Sequence, residues 1–308
     1  MLKTILQLAS LLILCVTHST ADVKDHLITL PNKSSGHQMR NIDFIYLINL
    51  DHRHEKYAAS LEKFAQYEIK PFRFSAINGW KLPIEVLNDI GLKYQPWMSG
   101  ENWATTFSPD EGGQAHHELL TAVGRTYFSY DLTRGAIGHI LSHLSVLQDA
   151  YDSGYETIWV LEDDFHILRN PHVISDLIVK LDFLVGKRGW DILFTDRDFR
   201  NSLDGEYIPC KAYAWRPDFG PSDPKRFSFN KSISSDFRQV GARYGTYSMV
   251  IRRSGVKKIL DFFNKHQLFL PYDLEISLPD DIRFFTVQED VVSKIQRSES
   301  DKKKNTSN

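Results

Sequence analysis

Short apolar runs alternate along the chain with longer segments whose apolar residues recur every three or four positions. The short runs are rich in β-branched and aromatic residues, which is typical of buried strands. They lie at residues 44–48, 72–76, 157–161, 190–194 and 248–251. The periodic segments predict amphipathic helices at residues 55–64, 137–150 and 254–263. This alternation favours an α/β fold with a mostly parallel central sheet flanked by helices, in which ligands bind at the carboxyl ends of the strands.

The two ends of the chain lack this alternation. Residues 1–21 combine a lysine, a short apolar stretch and small residues before a cleavage position, so we expect a signal peptide or a short anchor and an exported protein. The polar residues 22–41 are expected to form a flexible leader, and residues 295–308 a disordered tail. The domain then covers residues 42–294, with a helix-and-loop insertion at residues 80–131 on the acceptor side.

Export constrains the compartment in which the protein acts. We expect the lumen of the endoplasmic reticulum or Golgi if the source is eukaryotic. For a bacterial source we expect a membrane-associated protein or one delivered to a host.

Composition narrows the possible partners. Hydrophobic residues make up 42% of the 308 residues, so the chain can bury a substantial core. Its net charge is −2, whereas domains that bind nucleic acid usually carry an excess of basic residues. We therefore expect no nucleic-acid partner.

An acidic triplet, Glu162-Asp163-Asp164, directly follows the apolar run 157–161. Three carboxylates at the end of a buried strand need a counter-charge, because repulsion and desolvation would otherwise raise their pKa values. Mn²⁺ and Mg²⁺ prefer such oxygen ligands and would stabilise a leaving nucleoside diphosphate. The triplet therefore predicts a metal site with Asp164 as the main ligand, assisted by Asp163 or Glu162. The alternative is an ordinary solvated turn.

A second polar group follows the first predicted strand. Asn49 and Asp51 have side chains that can bind a base or a ribose, and Arg53 can pair with a phosphate. Turn formation and capping of the next helix are the alternative explanation for the same residues.

Small residues begin the third candidate segment, from Gly135 to His143. Glycine at a helix start, such as Gly138, lets backbone N–H groups approach a phosphate or ribose, and Ser142 and His143 follow on the same helix. Close packing of this helix on the sheet is the alternative. We interpret the 12 histidines of the chain as scattered rather than spaced as metal ligands.

Together and in this order, these segments resemble glycosyltransferase family 25, which includes lipooligosaccharide and procollagen galactosyltransferases. The matching segments are Tyr46 to Arg53, Ala76-Ile77-Asn78-Gly79, Gly135 to His143, the acidic triplet, Trp190-Asp191-Ile192-Leu193, Gly245-Thr246-Tyr247 and Leu270-Pro271-Tyr272-Asp273. One position departs from the family pattern, because His139 stands where the family usually has cysteine.

The resemblance implies a GT-A-type, Rossmann-like nucleotide-diphospho-sugar transferase fold and a nucleotide-sugar donor, with UDP-galactose the first candidate. It also implies an Mn²⁺ or Mg²⁺ cofactor, inversion at the anomeric carbon, and a glycan, lipooligosaccharide or protein hydroxyl as acceptor. The residues expected to hold the donor are Asn49, Asp51, Arg53, Ala76, Asn78, Gly138, Ser142 and His143.

Inversion by one direct displacement needs a base within ~3 Å of the acceptor hydroxyl. The resemblance places Asp273 in this role, with turn formation after Pro271 as the alternative. Asp196 and Asp198, just after the run at residues 190–194, are competing candidates.

Two further functions remain open at this point. A non-catalytic carbohydrate-binding or effector protein could have kept the same fold, because fold does not determine function. A metal-dependent nucleotidyltransferase or phosphohydrolase would use the same combination of metal and phosphate.

Overall fold

The computed structural model of the chain describes residues 22–31, 33–108, 113–198, 208, 210 and 213–294. The expected signal peptide and the expected tail, at residues 1–21 and 295–308, lie outside the described residues. Among the helices of the described part, none is long and apolar enough to cross a membrane.

Strands and helices occur where the apolar patterns predict them, with further elements between. The strands are β1 (Phe44–Asn49), β2 (Phe72–Ser75), β3 (Leu92–Lys93), β4 (Trp103–Phe107), β5 (Ala115–Leu119), β6 (Thr126–Ser129), β7 (Thr157–Glu162), β8 (Phe165–Ile167), β9 (Ile192–Phe194), β10 (Asn230–Ser232), β11 (Phe237–Val240), β12 (Ser248–Arg252), β13 (Phe284–Val287) and β14 (Val292–Lys294). The α-helices are α1 (His54–Ala65), α2 (Ile84–Ile90), α3 (Arg134–Asp152), α4 (Val173–Val185), α5 (Arg253–His266) and α6 (Tyr272–Glu275).

Eight strands form the central sheet, in the order β10-β11-β13-β9-β12-β7-β1-β2. The α/β class is confirmed, but the prediction of a mostly parallel sheet is wrong. Among the described residues, only the pairs β1–β2, β1–β7 and β9–β13 of this sheet are parallel, and its other four pairs are antiparallel. The reason is that β11 and β12 each run against both of their neighbours. A strand buried on both faces is apolar in either direction, so its composition does not reveal this.

The direction of the strands decides where a ligand site can form. Because β1, β7, β9 and β13 run the same way, their carboxyl ends meet at one edge of the sheet. The antiparallel β12 brings the loop before it to this same edge. Side chains from five strands can therefore converge there.

Alternation along β7 divides the core into two layers. Ile158 and Val160 face the layer that contains the buried sides of α3 and α5. Trp159 and Leu161 face the opposite layer, with α1 and α4. Each helix pair thus covers one face of the sheet, and residues that continue β7 point to alternate layers.

The insertion at residues 80–131 contains more regular structure than the expected helix and loop. Helix α2 is followed by a four-stranded sheet in the order β3-β6-β4-β5, with antiparallel pairing throughout. Its strands are two to five residues long and separated by turns, so no periodicity extends far enough to predict them.

The polar segment at residues 22–41 contacts the domain, although its composition predicts a flexible leader. Val23 is buried within a 3-10 turn at Val23–His26. The backbone N–H of Ile28 donates to Ser145 Oγ at 2.9 Å, and Lys33 Nζ pairs with Asp149 at 2.5 Å. A few such contacts to α3 hold a segment that cannot form a core of its own.

A close backbone contact fixes α3 against the loop after β2. A Cβ atom on Gly138 would lie 2.4 Å from the backbone nitrogen of Gly79 and 2.5 Å from the carbonyl oxygen of Ile77. Backbone atoms cannot move aside as a flexible side chain can, so only glycine fits here. The close-packing explanation of Gly138 is the one that the contact supports.

Gly138→Ala is therefore expected to destabilise the fold by about 1–3 kcal/mol, the usual cost of overpacking. This loss outweighs the gain of up to ~1 kcal/mol in helix propensity. Urea unfolding measures the change. Gly220→Ala is the control, because Gly220 has open space around the Cβ position. Equal stability of both variants would contradict the packing argument.

Candidate functional site

A cleft of about 200 Å³ opens where β1 and β7 end, beside the start of α3. It lies at the edge of the sheet where the parallel strands end, as expected for an α/β protein. Its lining residues are Ile48, Leu50, His52, Arg53, Lys56, Ala76, Ile77, Asn78, Gly79, Trp80, Gly135, His139, Ser142, Glu162, Asp163 and Asp164. The acidic triplet and four of the eight expected donor residues thus meet at one place.

Asn49 lies beneath this cleft rather than on its wall. The residue is only 1% exposed. Its amide nitrogen donates to Asp163 Oδ2 at 2.7 Å and to the carbonyl of Arg53, and its oxygen accepts from Arg73 Nε at 2.9 Å. Asn49 therefore holds the end of β1 to the acidic triplet, and its polar atoms are directed to protein groups.

Asp51 is not among the residues that line the cleft. Its side chain is 71% exposed and accepts hydrogen bonds from Ser75 and Arg73, at 2.8 and 2.9 Å. The bond from Ser75, followed by the charge and hydrogen bond of Arg73, lowers the pKa of this carboxyl. Arg53, by contrast, lines the cleft, together with Lys56 on α1, which the sequence analysis did not identify.

The members of the acidic triplet point in different directions, because alternation continues past the end of β7. Glu162 follows Ile158 and Val160 to the α3 layer, where it meets His139. Asp163 is directed to the α1 layer and contacts Lys56 at 3.9 Å.

Protein groups already partner the triplet. Burial raises the pKa of Asp163, and the hydrogen bond from Asn49 and the charge of Lys56 oppose this rise. Burial lowers the pKa of Lys63, and the nearby charges of Asp164 and Asp163 oppose this fall. Part of the counter-charge expected at this strand end therefore comes from protein groups. A metal role for Asp163 and Asp164 stays a prediction.

Glu162, at the end of β7, meets groups from α3 and from the loop before β12. Its Oε1 lies 2.9 Å from His139 Nε2 and 3.4 Å from His143 Nε2, both on α3. Thr246, in the loop before β12, donates to the same oxygen at 2.9 Å. His139, His143 and Glu162 form a group that could hold a metal ion.

This cluster contradicts the interpretation of the histidines as scattered. His139 and His143 are four residues apart on one helix, a spacing that places two side chains on the same face. That signal was present in the sequence. Their partner is 19 residues further along the chain from His143, and only the fold brings it near.

Three further donor candidates, Ser142, Asn78 and Ala76, line the cleft together with the triplet. Ser142 Oγ accepts the backbone N–H of Ile77 at 2.8 Å and so ties α3 to the loop after β2. Asn78 caps the short 3-10 turn at Gly79–Lys81 by accepting the N–H of Trp80. Ala76 lines the cleft beside them. The hydrogen bonds of Ser142 and Asn78 thus hold the backbone of the loop after β2 in place beside the cleft.

Asp196 and Asp198, two of the candidate bases, are buried outside the cleft. Asp196 is 1% exposed, lies 2.8 Å from Arg243 Nη2 and accepts a hydrogen bond from Tyr247. Asp198 is buried near Arg238 at 3.6 Å. Both belong to a charged network at the end of β9.

Asp273, the first candidate base, lies at the start of α6. One carboxylate oxygen accepts the N–H of Gly245 at 2.9 Å, and the other accepts the N–H of Leu274 at 3.1 Å. The residue is partly exposed, and it joins the loop before β12 to α6. These bonds match the turn-forming alternative for Asp273.

Residues 42–276, which contain the cleft and the acidic triplet, match the model of glycosyltransferase family 25, described as an LPS biosynthesis protein. The chain belongs to glycosyltransferase family 25. The resemblance inferred from the sequence motifs is thus confirmed.

Three curated relatives are similar to this family 25 chain over about half of its length or more. A mosquito (Aedes aegypti) glycosyltransferase 25 family member is 24% identical over 61% of the chain. A mouse (Mus musculus) inactive glycosyltransferase 25 family member 3 is 23% identical over 56%, and mouse procollagen galactosyltransferase 2 is 28% identical over 50%. The matched segments span between 21% and 26% of those proteins' own lengths.

The charged network at the end of β9 has a testable consequence for stability. Asp196→Asn removes the charge that faces buried Arg243 and should cost about 3–5 kcal/mol, because an unpaired buried charge remains. The free energy of unfolding in urea measures this. Asp261→Asn, which breaks the exposed Lys257–Asp261 pair, should cost less than about 1 kcal/mol. Similar values for the two variants would contradict a structural role of Asp196.

Proposed function

We propose that this family 25 chain is an inverting glycosyltransferase. It moves a hexose, with galactose the first candidate, from a UDP-sugar to a hydroxyl group of a glycan, a lipooligosaccharide or a protein. The observation that carries the proposal is the cleft at the carboxyl ends of β1 and β7. It combines cationic side chains, exposed backbone and the acidic triplet in a chain whose family is shown.

The cleft has the chemistry that a nucleoside diphosphate requires. Arg53 and Lys56 supply positive charge for the phosphates, and Trp80 offers an aromatic surface for a base. The loop from Ala76 to Gly79 offers backbone groups at the same wall. These features support donor binding between β1, α1 and the start of α3.

The oxygen ligands of Asp163 and Asp164 fit an Mn²⁺ or Mg²⁺ ion. Both residues line the cleft, and both are carboxylates at a strand end. When bound, such an ion stabilises negative charge on the diphosphate that leaves. A hydrogen bond from Asn49 and the nearby charge of Lys56 hold the side chain of Asp163 in place.

The acceptor hydroxyl must lose its proton to a basic group. We retain Asp273 as the candidate base, on the family resemblance and on its partial exposure. Asp196 and Asp198 are buried and face arginines, so an acceptor hydroxyl has no open access to either carboxylate. The loop that Asp273 stabilises also carries Thr246, which bonds to Glu162.

We also propose that the fold is of the GT-A type. Three parallel strands, β2, β1 and β7, precede the acidic triplet, and β12 is the antiparallel strand next to β7. The two helical layers complete a Rossmann-like arrangement.

A non-catalytic binding protein is the second candidate function. Two observations favour it: relatives in mouse and human are named inactive, and each candidate base is engaged in hydrogen bonds or ion pairs. Retention of the acidic triplet supports the enzyme instead.

A panel of nucleotide sugars and plain nucleotides separates the candidates. The full chain is incubated with each donor, Mn²⁺ and glycan or protein acceptors, and products are identified by mass spectrometry. Transfer from UDP-galactose with an inverted linkage supports the proposal. Binding without transfer favours the non-catalytic function, and phosphate or nucleotide products without glycoside indicate a nucleotidyltransferase or phosphohydrolase.

The metal assignment predicts the effect of Asp164→Ala. Turnover should fall by about 100-fold or more, because metal charge stabilisation contributes several kcal/mol to the barrier. Circular dichroism should show an unchanged fold. Asp176→Ala, which changes an exposed pair with Arg40, is the control and should keep full turnover. Full activity of Asp164→Ala, or of the unmodified chain in excess chelator, would contradict the assignment.

The base assignment predicts the effect of Asp273→Asn. The amide keeps the size of the side chain but loses its basic oxygen, so kcat should fall about 100-fold or more while the donor Kd stays constant. Steady-state kinetics and donor titration measure the two quantities. Unfolding of the same variant in urea serves as the control for the lost backbone hydrogen bond. An unchanged kcat would exclude Asp273 as the base, and a collapse of donor binding would make it a donor ligand.

A further inference from the structure

His139, His143 and Glu162 bring three metal-ligating atoms together on the α3 side of β7. Both imidazole Nε2 atoms approach the same carboxylate oxygen, at 2.9 and 3.4 Å, and all three atoms lie within 4.8 Å of one another. The two rings are 4.5 Å apart between centroids. Two histidines four residues apart on a helix are a common way to bind zinc from one helical face.

These separations suit a tetrahedral ion. Zinc binds imidazole nitrogen and carboxylate oxygen at about 2.0–2.2 Å, which places two ligands of a tetrahedron about 3.3 Å apart. The two distances to Glu162 lie close to this value. Small movements of the ends of the side chains would complete the geometry.

The ligand types distinguish this cluster from the oxygen site of Asp163 and Asp164. Imidazole suits zinc and its neighbours in the transition series, whereas Mg²⁺ and Mn²⁺ prefer oxygen. We propose that His139, His143 and Glu162 bind a zinc ion that is separate from the cation of the donor diphosphate. The site does not depend on the proposed function, because it requires neither donor nor transfer.

A buried hydroxyl beside the cluster supports a ligand there. Tyr272 is 2% exposed and stacks on His143 with ring centroids 4.5 Å apart. Its hydroxyl has no hydrogen-bond partner among the described residues. Three protein ligands leave a fourth position on zinc, and a water bound there would give this hydroxyl a partner. His139 and Glu162 line the cleft, so water and the ion can enter from that side.

An ion at this place would join separate elements of the fold. Its ligands come from α3 and from the end of β7, and Thr246 ties the loop before β12 to the same carboxylate. The ion would therefore stabilise the wall of the cleft. A ligand that binds only the folded state raises the temperature of unfolding in proportion to its affinity and concentration.

The test measures metal content and spectra rather than activity. The full chain is stripped with a chelator, incubated with Zn²⁺ and dialysed, and zinc is counted by mass spectrometry. Cobalt replaces zinc in a second sample, because tetrahedral Co²⁺ absorbs visible light. The variants are His139→Gln and His143→Gln. His52→Gln is the matched control, because His52 lines the same cleft outside the cluster.

We expect one zinc per chain and a tetrahedral cobalt spectrum in the unmodified protein, the His52→Gln variant and Asp164→Ala. Loss of either cluster histidine should weaken zinc binding at least about tenfold, since even indirect partners of a ligand contribute that much. His139→Cys should retain zinc, because a thiolate is also a zinc ligand. Zinc should raise the unfolding temperature of the unmodified chain but not of His143→Gln.

Two results would overturn the proposal. One is the absence of equimolar zinc from the unmodified chain, which would leave the cluster as a hydrogen-bonded group only. The other is equal zinc binding in the cluster variants and the control. Neither result changes the outcome of the donor screen, so failure of this proposal is distinct from failure of the proposed transferase function.

Discussion

Successive side chains at the end of a β-strand must point to opposite faces of the sheet, and the site depends on this constraint. Beyond Leu161 the rule sends Glu162 to α3 and Asp163 to α1. The adjacent carboxylates Glu162 and Asp163 therefore have different partners. The geometry creates one environment of imidazoles around Glu162 and another of Asn49 and lysines around Asp163. Residues that are adjacent in the sequence motif therefore have different neighbours in the folded protein.

The positions of single strands and helices were predictable from the sequence, whereas the directions of the strands and their pairing were less so. The strands around residues 44–48 and 157–161 and the helix around residues 137–150 follow from apolar spacing alone, because burial of an element leaves a local signature. The antiparallel direction of β12 leaves no such signature. The small sheet of the insertion was missed because its strands are short and contain polar positions such as those of β5.

The site shows the same division between local and long-range information. The acidic triplet and the loop at residues 76–79, both singled out from sequence motifs, line the same cleft in the structure. The partners of each carboxylate were not predictable, because they come from distant segments. Asp196 is an example: only the fold reveals that Arg243 and Tyr247 enclose it. The pairing of His139 with Glu162 is another.

The backbone contact between Gly79 and Gly138 has a consequence for how this cleft can change over evolution. Where two backbones touch, no side chain intervenes, so point substitutions cannot adjust the width of the gap. The loop at residues 76–79 and the start of α3 must then be inherited as a unit. Exposed side chains of the small antiparallel sheet, such as Trp103 and Leu119, can by contrast be exchanged without moving the main chain.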